Sequence, residues 1–241
     1  LVVAVECVFT WYWLADLCIK EHIEFVLGHA LYMKAIDGGK TKNDKVDSQK
    51  IAALLRGGMI PQAYVYPHKM RATRDLLRRR IFLTRKRSEF LGHIQNTNYQ
   101  YNLDPIQKRI SYKANRVCLD GHFKNPLVQI NIEVDLKIIA ALEEQIKQME
   151  SIIIKCARHH DPVAYSLLKT IPGVGKILGL TILYEIENIE RFPKVQHFVS
   201  YCRLVKCPRE SSGKRMGSKN SKIGNANLKW AFNDAACLFI R

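Results

Sequence analysis

The chain has 241 residues, of which 47% are hydrophobic, so it can bury one large core or two modest ones and is not a disordered chain. Its 38 Lys and Arg residues against 22 Asp and Glu residues give a formal net charge of +16. A field of that sign favours nucleic acid over an anionic membrane surface as partner, and no apolar run is long enough to span a bilayer.

The seven scattered cysteines include no Cys-x-x-Cys pair, which argues against a disulfide framework or zinc site and predicts a reducing, cytoplasmic location.

Strands and helices alternate over the first part of the chain. Apolar, β-branched runs predict buried strands, and Glu6 follows the first of them. Gly57 and Gly58 stand where a helix commonly ends. This alternation predicts an α/β architecture with a mostly parallel sheet. The predicted elements are a strand over 1–5, a helix over 11–20, a strand over 23–27, a short helix over 32–36 and a helix over 43–56.

Two long helical stretches predict an extended middle segment. The first covers 69–97 and is densely basic, residues 98–130 have the weak periodicity of a linker, and the second covers 132–158. The second stretch has a near-heptad seam, which is compatible with an antiparallel coiled coil, within the chain or between chains, and equally with packing on a domain core. The seam consists of Ile138, Leu142, Ile146, Met149, Ile153 and Cys156.

The last eighty residues predict a mostly helical module. A helix, turn and helix cover 167–186, a further helix covers 195–204, and a final helix covers 225–241. A polar segment with Gly and Ser lies between the last two helices. The sequence thus suggests three consecutive segments, 1–68, 69–160 and 161–241.

Three acidic residues are candidates for a metal site. Asp44 and Asp47 lie three residues apart in a predicted helix and therefore share a face, and Glu6 ends a predicted strand. Converging carboxylates suit Mg²⁺, and Mg²⁺ ions suit attack on phosphodiesters. An Asp-x-x-Asp spacing alone is a weak signal, because a solvated helix face explains most occurrences of it.

A glycine turn in the last module is a candidate phosphate-binding element. Ile171-Pro172-Gly173-Val174-Gly175 separates two apolar helical segments, as in a helix-hairpin-helix. Gly173 and Gly175 permit a tight turn whose backbone N–H groups can bind a DNA phosphate without reading sequence. The alternative is an ordinary turn between core helices.

Two basic segments are further candidates for nucleic-acid contacts. One is the polar loop from Glu210 to Asn225, where Ser211 and Ser212 lie among cations; a serine nucleophile needs such cations, but a loop that only binds phosphates is the simpler reading. The other is the run Lys69–Arg87, whose cations occupy more than one helical face. The candidate nucleic-acid-binding residues are Arg71, Arg74, Arg78, Arg79, Arg80, Arg85, Lys214, Arg215 and Lys222, besides the two glycines.

Several of these motifs together resemble a known family. The segments Val5-Glu6, Trp11-Tyr12-Trp13, Lys40 to Asp47 and Ile51 to Arg56 resemble the N-terminal half of the DEDD transposases of insertion-sequence family 110. The segments Leu168 to Gly175, Arg191-Phe192-Pro193 and Lys222 to Asn225 resemble that family's C-terminal domain. The resemblance excludes only about 98–130.

The resemblance implies a fold and an activity. It implies a RuvC-like, RNase H-type domain, a coiled-coil segment and a helical C-terminal transposase domain with the helix-hairpin-helix. It implies site-specific excision and insertion of a mobile element, directed by a guide RNA. We also expect the protein to form homo-oligomers. Four acidic residues bind Mg²⁺ in the family, and Glu6, Asp44 and Asp47 match the second, third and fourth of them.

The resemblance also implies a serine that becomes covalently linked to DNA, within a Ser-Gly-Gly-Lys-like motif. Alignment on Gly213-Lys214 assigns this role to Ser211, with Ser212 at the first glycine position as a second candidate. The match to the first acidic residue would precede residue 1, so we expect an incomplete copy. The alternative function is a DNA-binding remnant that cannot cut, and another is a structure-specific nuclease without a covalent serine.

Overall fold

The computed structural model describes residues 1–36, 43–157, 161–205, 210–215 and 223–240. The chain divides into two compact units, each built from two separate stretches. The first unit comprises Leu1–Ala72 and Glu187–Ala226, and the second comprises Thr73–Ile186 and Asn227–Arg241. The chain passes from one unit to the other inside the helix His68–Gln100, after the helix that ends at Ile186, and near the start of the last helix. The sequence, by contrast, suggests three consecutive segments.

A small parallel sheet lies in the first unit. Strand β1 (Val2–Glu6) pairs with β2 (Glu24–Gly28), and helix α1 (Trp11–Lys20) connects them. The register sets Val2 opposite Glu24 and Glu6 opposite Gly28. The backbone N–H of Ala63 donates to the carbonyl of Leu27 over 2.6 Å, beside an antiparallel bridge between Gly28 and Gln62. An extended segment therefore borders β2 on its other side.

Two helices follow β2 and cover the sheet. They are α2 (Ala30–Ile36) and α3 (Asp44–Arg56). Helix α3 begins at Asp44 because the Asn43 side chain accepts a hydrogen bond from the backbone N–H of Lys45 over 3.0 Å. The C-terminal half of α3 packs beside β1 through Ile51, Leu54 and Leu55, against a core of Val26, Met33 and Ile60.

Two long helices in the second unit pair antiparallel. Helix α4 (His68–Gln100) enters this unit at Thr73, and α5 (Pro126–Ala157) returns along it. Two ion pairs and one histidine–carboxylate hydrogen bond join them: Arg80 pairs with Glu150 at 2.6 Å, Arg87 pairs with Glu143 at 2.7 Å, and Nδ1 of His93 lies 2.5 Å from a carboxylate oxygen of Asp135. The residue numbers rise along α4 while those of their partners fall along α5, so the two helices run antiparallel. The sequence allowed pairing within the chain or between chains, and the structure shows pairing within the chain.

Residues 101–125, which lie within the predicted linker of 98–130, carry part of the core of the second unit. A 3₁₀ helix spans Lys113–Leu119. Ile110, Leu119 and Phe123 are buried against Ile94 of α4 and Ile132 of α5. The connection therefore closes the end of the helix pair.

Three further helices complete the second unit: α6 (Pro162–Thr170), α7 (Lys176–Ile186) and α9 (Ala226–Phe239). Asp161 caps α6 by accepting a hydrogen bond from the N–H of Ala164 over 2.8 Å. Helix α7 is buried on all sides from Leu178 to Glu185, as its nearly uniform apolar sequence predicts.

The remaining elements of the first unit follow α7. They are a 3₁₀ turn (Ile189–Arg191), helix α8 (Val195–Tyr201) and two short strands, β3 (Glu210–Ser211) and β4 (Lys214–Arg215). Among the described residues, no helix is both long enough and apolar enough to cross a membrane. The fold agrees with the predicted α/β-plus-helical class, and the RuvC-like assignment stays a prediction.

Candidate functional site

The polar loop of the last module contains a β-hairpin that the sequence pattern does not predict. β3 and β4 pair antiparallel, with Glu210 opposite Arg215 and Ser211 opposite Lys214. The backbone of Ser211 is thus directly across from that of Lys214, whose side chain is exposed. The side chains of Ser211 and Arg215 lie outside what the structure describes, as does the whole of Lys222. The hairpin therefore brings one serine and one lysine together as cross-strand neighbours.

The turn of this hairpin distinguishes the two serines. Ser212 has φ +52° and Gly213 has φ +72°, so both central residues of the two-residue loop are left-handed. That is the backbone of a type I′ turn, in which glycine and asparagine are favoured at both positions. Ser212 thus occupies a position whose conformation suits glycine, and its side chain is exposed at the tip.

The two ends of the loop that carries the hairpin meet at Tyr201. The backbone N–H of Asn225 donates to the carbonyl of Tyr201 over 2.6 Å, and Nδ2 of Asn225 donates to the Tyr201 hydroxyl over 3.4 Å. Gly224 precedes Asn225 with φ +89°. We refer to Tyr201, Gly224 and Asn225 as the loop clamp.

Tyr201 belongs to an aromatic cluster around Arg191. The guanidinium carbon lies 3.7 Å from the ring centroid of Tyr64 and 4.8 Å from those of Phe192 and Tyr201. Burial lowers the pKa of Arg191, but Tyr201 and Tyr66 raise it by more, so the net shift is upward. Burial, followed by the hydrogen bond to Glu187, raises the pKa of Tyr64 to about 12. The cluster is therefore a fixed cation–π assembly in the first unit.

The acidic candidates lie on neighbouring elements of the first unit. Glu6 ends β1 and is half-buried, and Asp44 and Asp47 occupy the first turn of α3. Asp44 is exposed, and Asp47 lies 4.0 Å from the ammonium group of Lys50. The described residues include no three His, Cys, Asp or Glu side chains placed to hold a metal ion, so these three do not form such a group. Their assignment as Mg²⁺ ligands stays a prediction.

The arginines of the basic run differ in environment. Arg71 is buried and donates to the carbonyls of Tyr66 and Tyr12 and to Asp16. Arg74 is buried and bonds Glu185, as does the half-buried Arg78. Arg80 pairs with Glu150, whereas Arg79 and Arg85 are exposed. Several cations of the run therefore bind other residues of the protein. A nucleic acid that binds along α4 would contact the exposed arginines, Arg79 and Arg85.

The glycine turn of the predicted helix-hairpin-helix lies between α6 and α7. Gly173 has φ +84°, and a Cβ atom at this position would lie 2.1 Å from the backbone carbonyl oxygen of Ala235 in α9. Gly175 is exposed, and a Cβ atom there would meet nothing within 4 Å. Packing against α9 therefore requires the first glycine, and DNA binding by this turn stays a prediction.

Sequence reasoning did not single out Glu185, Tyr64 or Tyr66. Glu185 is a charged residue within an apolar helix. Its position could have indicated a buried ion pair, because a buried carboxylate needs cationic partners. Arg191 and Asn225 belong to motifs that carry the family resemblance, but the residues gave no indication of their contacts.

Two comparisons with known proteins agree with these motifs. Residues 165–241 match the sequence model of the transposase IS116/IS110/IS902 family. Over 199 residues the chain is 26% identical to y4qE of Sinorhizobium fredii (strain NBRC 101917 / NGR234), a protein provisionally named a transposase. The alignment covers 80% of this chain and 46% of that protein, so the chain spans about half the length of the relative.

Both similarities are to transposases. Together with the motifs of both halves of the chain, they support an IS110-type transposase. The matched stretch includes α7, Arg191, the hairpin and the loop clamp, whereas Tyr64 and Tyr66 of the aromatic cluster lie outside it.

Proposed function

We propose that this chain is the DNA-cleaving and DNA-joining part of a transposase, with Ser211 as the nucleophile. The observation that carries the proposal is the β-hairpin within the matched stretch, in which Ser211 is paired with Lys214. The reaction attaches DNA to the protein during site-specific excision and insertion of a mobile element.

The chemistry of the step can be written for this hairpin. The Ser211 hydroxyl oxygen attacks a backbone phosphorus, a Ser–O–P bond forms, and the bond from phosphorus to a deoxyribose oxygen breaks. The serine loses its proton, and the departing deoxyribose oxygen gains one. Lys214, the cross-strand neighbour, supplies positive charge to the phosphoryl oxygens as negative charge accumulates on them. Arg215 and Lys222 are further sources of positive charge in the same loop.

The turn geometry supports Ser211 over Ser212 as the nucleophile. Ser212 has a left-handed backbone, which fits the first glycine position of the Ser-Gly-Gly-Lys-like motif. Gly213 then fits the second glycine and Lys214 the lysine. The residue before this turn, Ser211, fits the serine of the motif.

DNA and a guide RNA are the proposed partners. The net charge of +16 supports binding to polyanions, and the exposed Arg79 and Arg85 on α4 are candidates for phosphate contacts. A Mg²⁺ ion at Glu6, Asp44 and Asp47, and assembly into homo-oligomers, remain further parts of the proposal.

The proposal is tested by trapping a protein–DNA adduct. The protein is incubated with DNA spanning both ends of the element that encodes it, with and without RNA transcribed from the same element, and then denatured. We expect a covalent adduct that Ser211→Ala abolishes and Ser212→Ala retains, while DNA binding changes little in either variant. Loss of the adduct only in Ser212→Ala would assign the role to Ser212. DNA binding without any adduct would support the DNA-binding remnant instead.

A further inference from the structure

The loop that carries the Ser211 hairpin begins and ends at one place in the first unit. Residues 202–224 connect Tyr201, at the end of α8, to Asn225, just before α9. The backbone hydrogen bond of 2.6 Å between Asn225 and Tyr201 joins the two ends directly. Asn225 is buried, so this contact is protected from solvent.

Gly224 permits the approach of the two ends. Its φ of +89° is left-handed, and a Cβ atom would lie 2.5 Å from the carbonyl oxygen of Tyr201 and 3.2 Å from that of Ser200. Carbon and backbone oxygen do not approach to 2.5 Å, so any larger residue would separate Asn225 from Tyr201. Glycine is therefore required for both its conformation and its lack of a side chain.

Tyr201 is itself held in the first unit. Its ring lies 5.1 Å from that of Phe192, and its hydroxyl lies 3.0 Å from the hydroxyl of the buried Tyr66. Tyr66 in turn is part of the cluster that packs α1 against the sheet, with Trp11 and Leu27. The base of the loop is thus joined to the core of this unit.

The hairpin cannot hold its own position. Each of its strands has two residues, and even longer isolated hairpins are marginally stable in water. Its position therefore depends on contacts beyond its own two strands, and among the described residues the ends of the loop supply such contacts. Fixing both ends at one point restricts where the intervening chain can be.

We infer that the loop clamp of Tyr201, Gly224 and Asn225 positions the Ser211 hairpin, so that these three are positioning residues for the serine. This inference rests on the proposed role of Ser211, but the part that concerns the hairpin can be measured without any chemistry. Breaking the clamp should loosen the hairpin, slow the attack on DNA and leave DNA affinity unchanged.

The experiment compares Gly224→Ala with Gly58→Ala in the whole protein. Gly58 is a matched control in the same unit, because it also has a left-handed backbone (φ +66°), but a Cβ atom at its position would meet nothing within 4 Å. Both variants impose the same kind of backbone strain, and only Gly224→Ala separates Asn225 from Tyr201. Tyr201→Phe, which retains the ring and removes the hydroxyl, is a milder second variant if Gly224→Ala folds poorly.

Two measurements decide the outcome. We expect amide hydrogen exchange at residues 212–214 to accelerate in Gly224→Ala but not in Gly58→Ala, with exchange in β1 and β2 unchanged in both. We also expect adduct formation to slow by about a hundredfold in Gly224→Ala at unchanged DNA affinity, since a small misplacement of a reacting group has that effect.

Equal exchange in wild type and Gly224→Ala, or equal acceleration in both glycine variants, would overturn the inference. So would an adduct rate that stays at the wild-type level while exchange accelerates. If the wild type forms no adduct, the proposed role of Ser211 fails, and the exchange measurement still decides whether the clamp positions the hairpin.

Discussion

Glu185 and Arg78 form a doubly bonded ion pair: Nε of Arg78 donates to Oε1 of Glu185 over 2.6 Å, and Nη2 donates to Oε2 over 2.9 Å. Arg74 adds a hydrogen bond of 3.0 Å to the same carboxylate, and Asn227 adds one of 3.2 Å. Only 1% of the Glu185 side chain is exposed, so these donors replace water around its charge. The cluster joins α4, α7 and α9 within the second unit.

Replacing Glu185 should strongly destabilise the second unit. Glu185→Ala removes the anion that faces the buried Arg74 guanidinium, and breaking a buried pair in this way costs about 3–5 kcal/mol of unfolding free energy. Urea denaturation followed by circular dichroism measures the change. Glu144→Ala, at an exposed position of α5, is the control and should stay within about 0.5 kcal/mol of wild type. Similar losses in both variants would contradict the buried-pair interpretation.

The stability of the helix pair should fall in acid because of Glu143. Hydrogen bonds from Arg116 lower its pKa below the ordinary value of 4.5, burial opposes this, and Arg87 lowers it further. Since the folded state has the lower pKa, the contribution is complete above about pH 4.5 and is lost as the pH falls through the folded value. Glu143→Gln should therefore reduce stability at about pH 7 and flatten its decline below about pH 4.5, as measured by urea denaturation across pH. Glu144→Gln should retain the wild-type profile.

The two glycines of the α6–α7 turn should respond differently to alanine. Gly173→Ala places a methyl group against the carbonyl of Ala235 and strains a left-handed backbone, which should cost about 1–3 kcal/mol or more. Gly175→Ala meets open space and should change stability by less than about 0.5 kcal/mol. Thermal unfolding of both variants tests this. Weaker DNA binding by a fully stable Gly175→Ala would support the phosphate-binding interpretation of the turn.

Salt dependence of DNA binding should separate the exposed arginines from the paired ones. Arg79 and Arg85 are exposed, so replacing both by alanine should reduce the slope of log affinity against log salt by about one unit for each phosphate that is no longer bound. Arg80→Ala removes a charge that Glu150 already neutralises and should leave the slope near wild type. A slope that responds to Arg80→Ala and not to the double replacement would contradict this assignment.

Substitutions at Ser212 should show whether the hairpin needs a residue that accepts a left-handed backbone at this position. Ser212→Gly suits the left-handed backbone and should keep the hairpin and the adduct, whereas Ser212→Val places a β-branched residue there at a cost of about 1–2 kcal/mol. Amide exchange at Lys214 and adduct yield measure the two effects. Retention of both properties in Ser212→Val would show that the turn is not needed.

Most helices can be predicted from the spacing of apolar residues and from the residues that end helices, because both signals are local in the sequence. Helix α1 spans the predicted residues 11–20, and the glycines at 57 and 58 end α3 as expected. The sequence of the connection over 101–125 is typical of a linker because its buried residues, such as Ile110 and Leu119, recur with no regular spacing. The hairpin at 210–215 escapes prediction, since two-residue strands are too short to show alternation.

The environments of the basic residues could not be predicted from the sequence. Arg71 is bonded to Asp16, 55 residues away, and Arg74 to Glu185, 111 residues away. Charge density along a helix reveals that cations are present, but only the tertiary fold determines which of them meet a carboxylate. The same limitation applies to Tyr201 and Asn225, whose contact follows from the closure of a long loop.

The three side-chain contacts between α4 and α5 also imply an order of assembly. Their partners are separated by 42, 56 and 70 residues along the chain, so each contact encloses the preceding one. Once His93 and Asp135 have met, bringing Arg87 to Glu143 and then Arg80 to Glu150 adds little loop-closure entropy, because the helices are already aligned. The helix pair should therefore form its contacts in order, starting from the end where the connection joins the two helices. Transient opening should begin at the opposite end, where Arg80 and Glu150 lie.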